Sequence, residues 1–258
     1  MNARFKKDLQ NGKKVCGIML SEFYVPNIAR LLATCGYDYL LVDCEHGYFD
    51  MTQVANLVAA ADGCSLPVIV RVCTLDQAAI TKLLDMGVSG ILLSDVGGVE
   101  EAKRLVELCL YAPMGDRGVS TFRAHTGYSK GNLRDIMDTA NDSLAVICQI
   151  ESVEAVNEVE NILAVPGLDG VIIGPNDLSN RMGMIGRYLE PPMSDALEKV
   201  AGAARAAGKW SGIITASEPL LERCNELGMT CYCVGSELSA LAAAATSSLK
   251  KTRAMLEK

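Results

Sequence analysis

Short apolar runs recur along the chain at KVCGIML (14–20), DYLLVDC (38–44), PVIVRV (67–72), GILLSD (90–95), LAVICQI (144–150), LDGVIIG (168–174), WSGIIT (210–215) and CYCVG (231–235). They are rich in Val, Ile and Leu and nearly continuous, which predicts strands buried on both faces, as in a parallel sheet. Between them lie stretches with helical spacing: NIARLLATCG, MTQVANLVAAAD, LDQAAITKLLDMG, VEEAKRLVELCL, SVEAVNEVENILA, PMSDALEKVAGAARAAG and EPLLERCNELG, with ELSALAAAATSSLKKTRAML at the end. Several close on a glycine suited to a helix C-cap, at Gly36, Gly87, Gly208 and Gly228. Eight strand–helix units in 258 residues favour a closed (β/α)8 barrel over an open doubly wound sheet. No linker, repeat or biased segment divides the chain, so residues 1–258 read as one barrel domain.

The pattern breaks where polar residues collect at strand ends. Asp43, Glu45 and His46 end the second run, Arg71 the third, Asp95 the fourth, Gln149 and Glu151 the fifth, and GPNDLS (174–179) follows the sixth. In a barrel these are the carboxyl ends, where active sites form. About fifty residues separate Asp95 from Leu144, and they include YAPMGDRGVSTFRAHTGYSKG. Insertions of that length usually serve a site or an interface.

Composition narrows the partners. Half of the residues are apolar and 24 basic residues face 31 acidic ones, for a net charge of -7 with no long basic run. Nucleic acid is not an expected partner. No signal-like segment and no run of about 18 apolar residues is present, so the expectation is a cytoplasmic protein with no membrane contact. Ten cysteines scattered through apolar segments read as reduced core thiols, and the Cys231–Cys233 spacing fits a strand better than a zinc site.

Residues two apart on a strand share a face, so Gln149 and Glu151 both point toward the barrel mouth. With Asp177 after the next strand, Glu151 makes a carboxylate pair suited to a hard divalent cation such as Mg²⁺ or Mn²⁺. Alternatively Glu151 pairs with Arg71 or caps the helix SVEAVNEV. Arg71 interrupts an apolar strand with a fork of donors suited to a carboxylate or a developing enolate, or else forms a buried salt bridge with a nearby acid. His46, three residues after Asp43, is a candidate for proton transfer or an incidental loop histidine. Asp85 reads from spacing alone as a surface acid. GPNDLS resembles a helix start that exposes backbone N–H groups toward an anion. Arg117, Arg123 and His125 suit an anion-binding or subunit-contact loop, or a solvated basic loop. No GxGxxG, GxxxxGK[ST] or GxSxG motif occurs, and no strand lysine stands out for a Schiff base.

The motifs DYLLVDCEHG, PVIVRV, YAPMGDRGVS, QIESVEAV, LDGVIIGPNDLS, AGKWSGIIT and LGMTCYCVGSE resemble, in this order, the HpcH/HpaI class II aldolases. The resemblance implies a barrel of the phosphoenolpyruvate/pyruvate type, with its last helix exchanged between subunits, in dimers that build hexamers. It implies reversible cleavage of a 4-hydroxy-2-oxo acid (2-keto-3-deoxy acid) to pyruvate and an aldehyde, assisted by Mg²⁺, Mn²⁺ or Co²⁺. By the same resemblance Glu151 and Asp177 match the metal carboxylates, Arg71 the pyruvate-binding arginine and His46 the acid/base. Asp43 and Asp85 match its supporting acids, Gln149 a positioning amide, and Gly174, Pro175 and Asn176 a substrate-binding segment, with Arg123 placed for an acceptor carboxylate. Met19, Ser94–Asp95 and Asn176 depart from the family pattern. An oxaloacetate-using synthase and a keto-acid-binding protein without turnover are the alternatives.

Overall fold

The computed structural model describes residues 2–257, and its strands close a barrel in sequence order, β1 to β8, with every pairing parallel. The strands are β1 (Val15–Leu20), β2 (Tyr39–Asp43), β3 (Val68–Val72), β4 (Gly90–Leu93), β5 (Ala145–Ile150), β6 (Gly170–Ile173), β7 (Trp210–Ile214) and β8 (Cys231–Ser236). All eight apolar runs therefore form strands, because each can be buried on both faces. The helices are α1 (Arg4–Gln10), α2 (Ile28–Thr34), α3 (Met51–Asp62), α4 (Gln77–Met86), α5 (Val99–Cys109), α6 (Leu133–Ser143), α7 (Val153–Asn157), α8 (Val159–Leu163), α9 (Pro175–Arg181), α10 (Met193–Ala206), α11 (Glu218–Glu226) and α12 (Glu237–Leu256). The single helix expected over SVEAVNEVENILA is two, parted at Glu158. Its apolar spacing survives the break, since Val156, Val159 and Ile162 are all buried. Gly36, Gly87, Gly208 and Gly228 all take positive φ, as helix stops do. No helix among the described residues is long and apolar enough to cross a membrane.

Strand alternation sorts the apolar residues into two cores. Leu40, Val42, Val68, Val70, Val146 and Cys148 face outward to the helices, whereas Tyr39, Leu41, Ile69, Ala145, Ile147 and Ile172 fill the barrel. At the end where the strands begin, α1 lays Phe5 edge-on against Tyr39 and Trp210, with ring centroids 4.9 and 5.9 Å apart. The two larger rings lie where a Cβ on Gly17 or Gly170 would stand, so these glycines make room for the aromatic floor. Beside it, Lys6 meets the Asp169 carboxylate at 3.0 Å and donates to the carbonyls of Leu144 (2.8 Å) and Asn141 (3.3 Å). The other Asp169 oxygen accepts from the Val146 N–H at 2.9 Å. The ten cysteines are free thiols, and burial pushes Cys109, Cys224 and Cys231 up to about 12, which keeps them protonated.

Candidate active site

Continuing the inward phase of the same strands toward their carboxyl ends exchanges apolar side chains for polar ones. Tyr39 and Leu41 lead to Asp43, Ile69 leads to Arg71, and Ala145 and Ile147 lead to Gln149 and Glu151. Asp43, Arg71, Gln149 and Glu151 are all buried. Paired register places Asp43 beside Arg71, and the guanidinium grips the carboxylate through Nε (3.0 Å) and Nη2 (2.8 Å). Asp43 Oδ1 also accepts from the backbone N–H groups of Glu45 (3.0 Å) and His46 (3.3 Å), which fixes the start of the following loop. Burial alone would raise the Asp43 carboxyl, but Arg71 and these two N–H groups outweigh it and hold it below the usual carboxylate range.

The third nitrogen of Arg71, Nη1, lies 3.3 Å from Glu45 Oε2, and Glu45 Oε1 accepts from the Ser94 hydroxyl at 2.8 Å. Thus Arg71 does form the buried salt bridge expected as one alternative, with two acids rather than one. His46 rests 3.9 Å from Glu45 and its side chain is 72% exposed, so it stands at the rim of the cluster. Its loop is held at the far end by a capping box, in which Asp50 and Gln53 exchange side-chain-to-backbone bonds at the start of α3.

Glu151 is 4% exposed. Its Oε1 accepts from the Asp95 N–H at 2.6 Å and its Oε2 from Gln149 Nε2 at 2.5 Å. Neither sequence alternative for Glu151 describes these bonds, and the following helix is capped instead by Ser152, whose Oγ accepts from the Ala155 N–H. Burial pushes the Glu151 carboxyl up to about 7; the Asp95 N–H and the Arg71 charge pull it down, while Glu45 and Asp177 push it further up. Gln149 Oε1 is buried without a hydrogen-bond partner. Gly174 is required here, because a Cβ at that position would collide with the Glu151 carboxylate and the Gln149 amide. Gly174 also serves as N-cap of α9, with Pro175 at the first helical position, so neither Asn176 nor Asp177 caps it. Asp177 is exposed in the first turn, and Asn176 Oδ1 accepts from the Tyr188 hydroxyl at 2.6 Å.

Asp85 and Arg123 belong to a different cluster within this chain. The helix α4 runs back from the end of β3 to the start of β4, which carries its last turn toward the floor. A groove of about 750 Å³ there is lined by Lys82, Asp85 and Arg123 together with Val68 and Ser89, at the starting ends of β3 and β4. Asp85 accepts from Arg117 at 3.0 Å and lies 4.0 Å from Arg123 and 3.9 Å from His125. Arg117 packs over the Tyr111 ring, whose hydroxyl meets His125 Nε2 at 3.1 Å. Arg117 and His125 are buried, so a solvated basic loop does not describe them. Burial, reinforced by the Arg117 charge, lowers His125 to about 4 and keeps it neutral near neutral pH. Glu45, Ser94 and Arg181 had no assigned role from sequence, yet each is bonded into the mouth. The placement of Glu45 between Asp43 and His46 and the departure of Ser94 from the family pattern were signals in the sequence; Arg181 had none.

The chain from residue 19 to residue 244 matches the family model described as HpcH/HpaI aldolase/citrate lyase. It is 39% identical over 244 residues to the 4-hydroxy-2-oxo-heptane-1,7-dioate aldolase of Salmonella paratyphi C, covering 94% of this chain and 91% of that one. It is 34% identical over 239 residues to the hydroxypyruvate/pyruvate aldolase of Agrobacterium fabrum, covering 93% and 89%. Among solved structures, the HpcH/HpaI aldolase from Desulfitobacterium hafniense superposes with a TM-score of 0.91 at 35% identity over 96% of each chain.

Proposed function

The chain belongs to the HpcH/HpaI aldolase/citrate lyase family, and from that premise we propose that it is a pyruvate aldolase dependent on a divalent cation. Its substrate in this reading is a 4-hydroxy-2-oxo acid, cleaved reversibly to pyruvate and an aldehyde. The observation that carries the reading is the buried Glu151 carboxylate, held by the Asp95 N–H and the Gln149 amide with the charges of Glu45 and Asp177 close by. The Arg71 charge offsets only part of this, and Gln149 Oε1 next to it lacks a donor. Among the described residues no three His, Cys, Asp or Glu side chains gather to cage an ion. Two carboxylates suit a hard divalent cation. Glu151 and Asp177 would hold it, and when bound it supplies Lewis-acid polarisation of the substrate's keto group.

Arg71 is held rigid by Asp43 and Glu45 and offers its remaining N–H donors to the substrate carboxylate. Breaking the C3–C4 bond leaves negative charge on the pyruvate half, and the preorganised Arg71 charge stabilises it as it develops. His46, at the rim beside Glu45, accepts the proton of the C4 hydroxyl as that oxygen becomes the aldehyde carbonyl. A proton from solvent then reaches C3 to complete pyruvate; in the reverse direction C3 loses that proton first and His46 returns its own to the aldehyde oxygen. Asp43 fixes the His46 backbone, and Gln149 holds Glu151 in one orientation. The assembly we propose is a homo-oligomer, in which the floor-side cluster of Asp85 and Arg123 serves a subunit contact.

The test is proton NMR of pyruvate in D₂O with metal-stripped protein, before and after Mg²⁺, Mn²⁺ or Co²⁺. The methyl signal is expected to disappear only with a cation, and at least about 10³ times more slowly in Glu151→Ala, equivalent to several kcal/mol of lost stabilisation. Pyruvate binding without exchange under every cation would overturn the aldolase reading.

A further inference from the structure

Two residues beyond β4, Asp95 takes a backbone φ of 47°, a left-handed conformation that aspartate tolerates better than most residues. That conformation aims its N–H at Glu151 Oε1, 2.6 Å away. Its side chain meanwhile engages Arg181 through two parallel bonds, Oδ1 to Nη1 at 2.5 Å and Oδ2 to Nη2 at 2.8 Å. Arg181 is in the last turn of α9, and Asp177 is in the first turn, four residues earlier and on the same helical face. One ion pair thus joins the backbone that touches Glu151 to the helix that bears Asp177.

We propose that Asp95 and Arg181 are positioning residues that set the two cation-binding carboxylates relative to one another. Exposed ion pairs are usually worth little, and both of these side chains are about half exposed. This pair differs because it is bidentate and because it anchors a left-handed residue whose N–H is committed to a buried carboxylate. Tying β4 to α9 reduces the reorganisation that a cation must induce when it binds. The inference rests on the reading of Glu151 and Asp177 as the cation ligands.

The sign of one substitution separates positioning from simple charge. The Arg181 guanidinium stands within electrostatic reach of Glu151 and Asp177, so by Coulomb's law alone its removal tightens binding of a dication. Positioning requires the opposite. In metal-stripped protein titrated with Mn²⁺ and followed by the electron paramagnetic resonance of the free ion, Arg181→Met is expected to weaken binding about 10-fold or more. Asp95→Ala, which loses the anchor and strains the left-handed backbone, should weaken it at least as much. Asp95→Asn, which tolerates the same backbone and keeps one bond to Arg181, should stay within about 3-fold. Thermal melts of the cation-free variants establish that each is folded. Unchanged or tighter Mn²⁺ binding in folded Arg181→Met overturns the clamp and leaves the cation site standing. No Mn²⁺ uptake by the unsubstituted protein overturns both.

Discussion

At its floor the barrel pairs buried Lys6 with half-buried Asp169, and at its mouth it gathers buried Arg71, Asp43 and Glu151 around half-buried Glu45. The floor pair is closed: each Asp169 oxygen has a donor, and Lys6 has three acceptors, two of them backbone carbonyls. The mouth is left open, with acids in excess, a carboxyl pushed up to about 7 and an amide oxygen without a partner. Both ends grow from the same alternation of strand residues, so fold geometry does not separate them. Completeness of pairing does: a satisfied buried network stabilises, whereas a deliberately incomplete one is a place for something else to bind.

Substitutions at the two ends should therefore report on different quantities. Trp210→Ala removes the largest ring of the floor and is expected to lower unfolding free energy by about 3–5 kcal/mol in denaturant titrations. The pyruvate exchange rate per folded molecule should change less than about 2-fold, given the roughly tenfold-per-1.4 kcal/mol scale on which a displaced site would show. A large loss of exchange in the folded fraction would mean that the ends are mechanically coupled.

A smaller effect should appear in the pH dependence of the cation-free protein. Glu151 is raised from 4.5 to about 7 by folding, so the native state holds its proton more tightly than the unfolded chain. The stability it contributes is full below the unfolded value and is lost as pH rises through about 7. Between about pH 5 and about pH 8 the unsubstituted protein should lose about 2.5 kcal/mol more than Glu151→Gln, measured by chemical unfolding. Equal slopes would show that the mouth is already balanced.

The smallest of the three is Gly174→Ala, whose new methyl displaces Glu151 and Gln149 without altering any charge. Misplacing the carboxylate is expected to slow exchange about 10- to 100-fold, or about 1.4–2.7 kcal/mol on the barrier, while the overpacking lowers the melting temperature by about a few degrees. If exchange survives intact, the carboxylate has room that the close approach denies.

Much of this was legible in the chain because two periodicities carry it. Near-continuous apolar strands gave away the barrel, and the switch from Ile147 to Gln149 and Glu151 in one inward phase marked the mouth. The floor was harder to see, since α1 is a seven-residue, largely polar helix whose anchor, Phe5, acts on rings more than thirty residues away. The helix α9 was read only as a cap motif, because it is short and its Pro-Asn-Asp start looks like a turn. Asp85 shows the limit most clearly: spacing places it on a helix but says nothing of which barrel end its last turn reaches. Asp95 and Arg181 are partners 86 residues apart and Ser94 and Glu45 are partners 49 residues apart, and no local pattern announces such contacts.

Because Phe5, Tyr39 and Trp210 stop the lower end, the barrel is a cul-de-sac, and reactant and products share a single doorway. In the proposed cleavage the pyruvate half is gripped at depth by Arg71, while the aldehyde half lies nearer the exit beside exposed His46. Departure is then a queue, aldehyde first and pyruvate last. The imprint of that plug on turnover is a product-inhibition pattern, competitive for pyruvate and noncompetitive for the aldehyde.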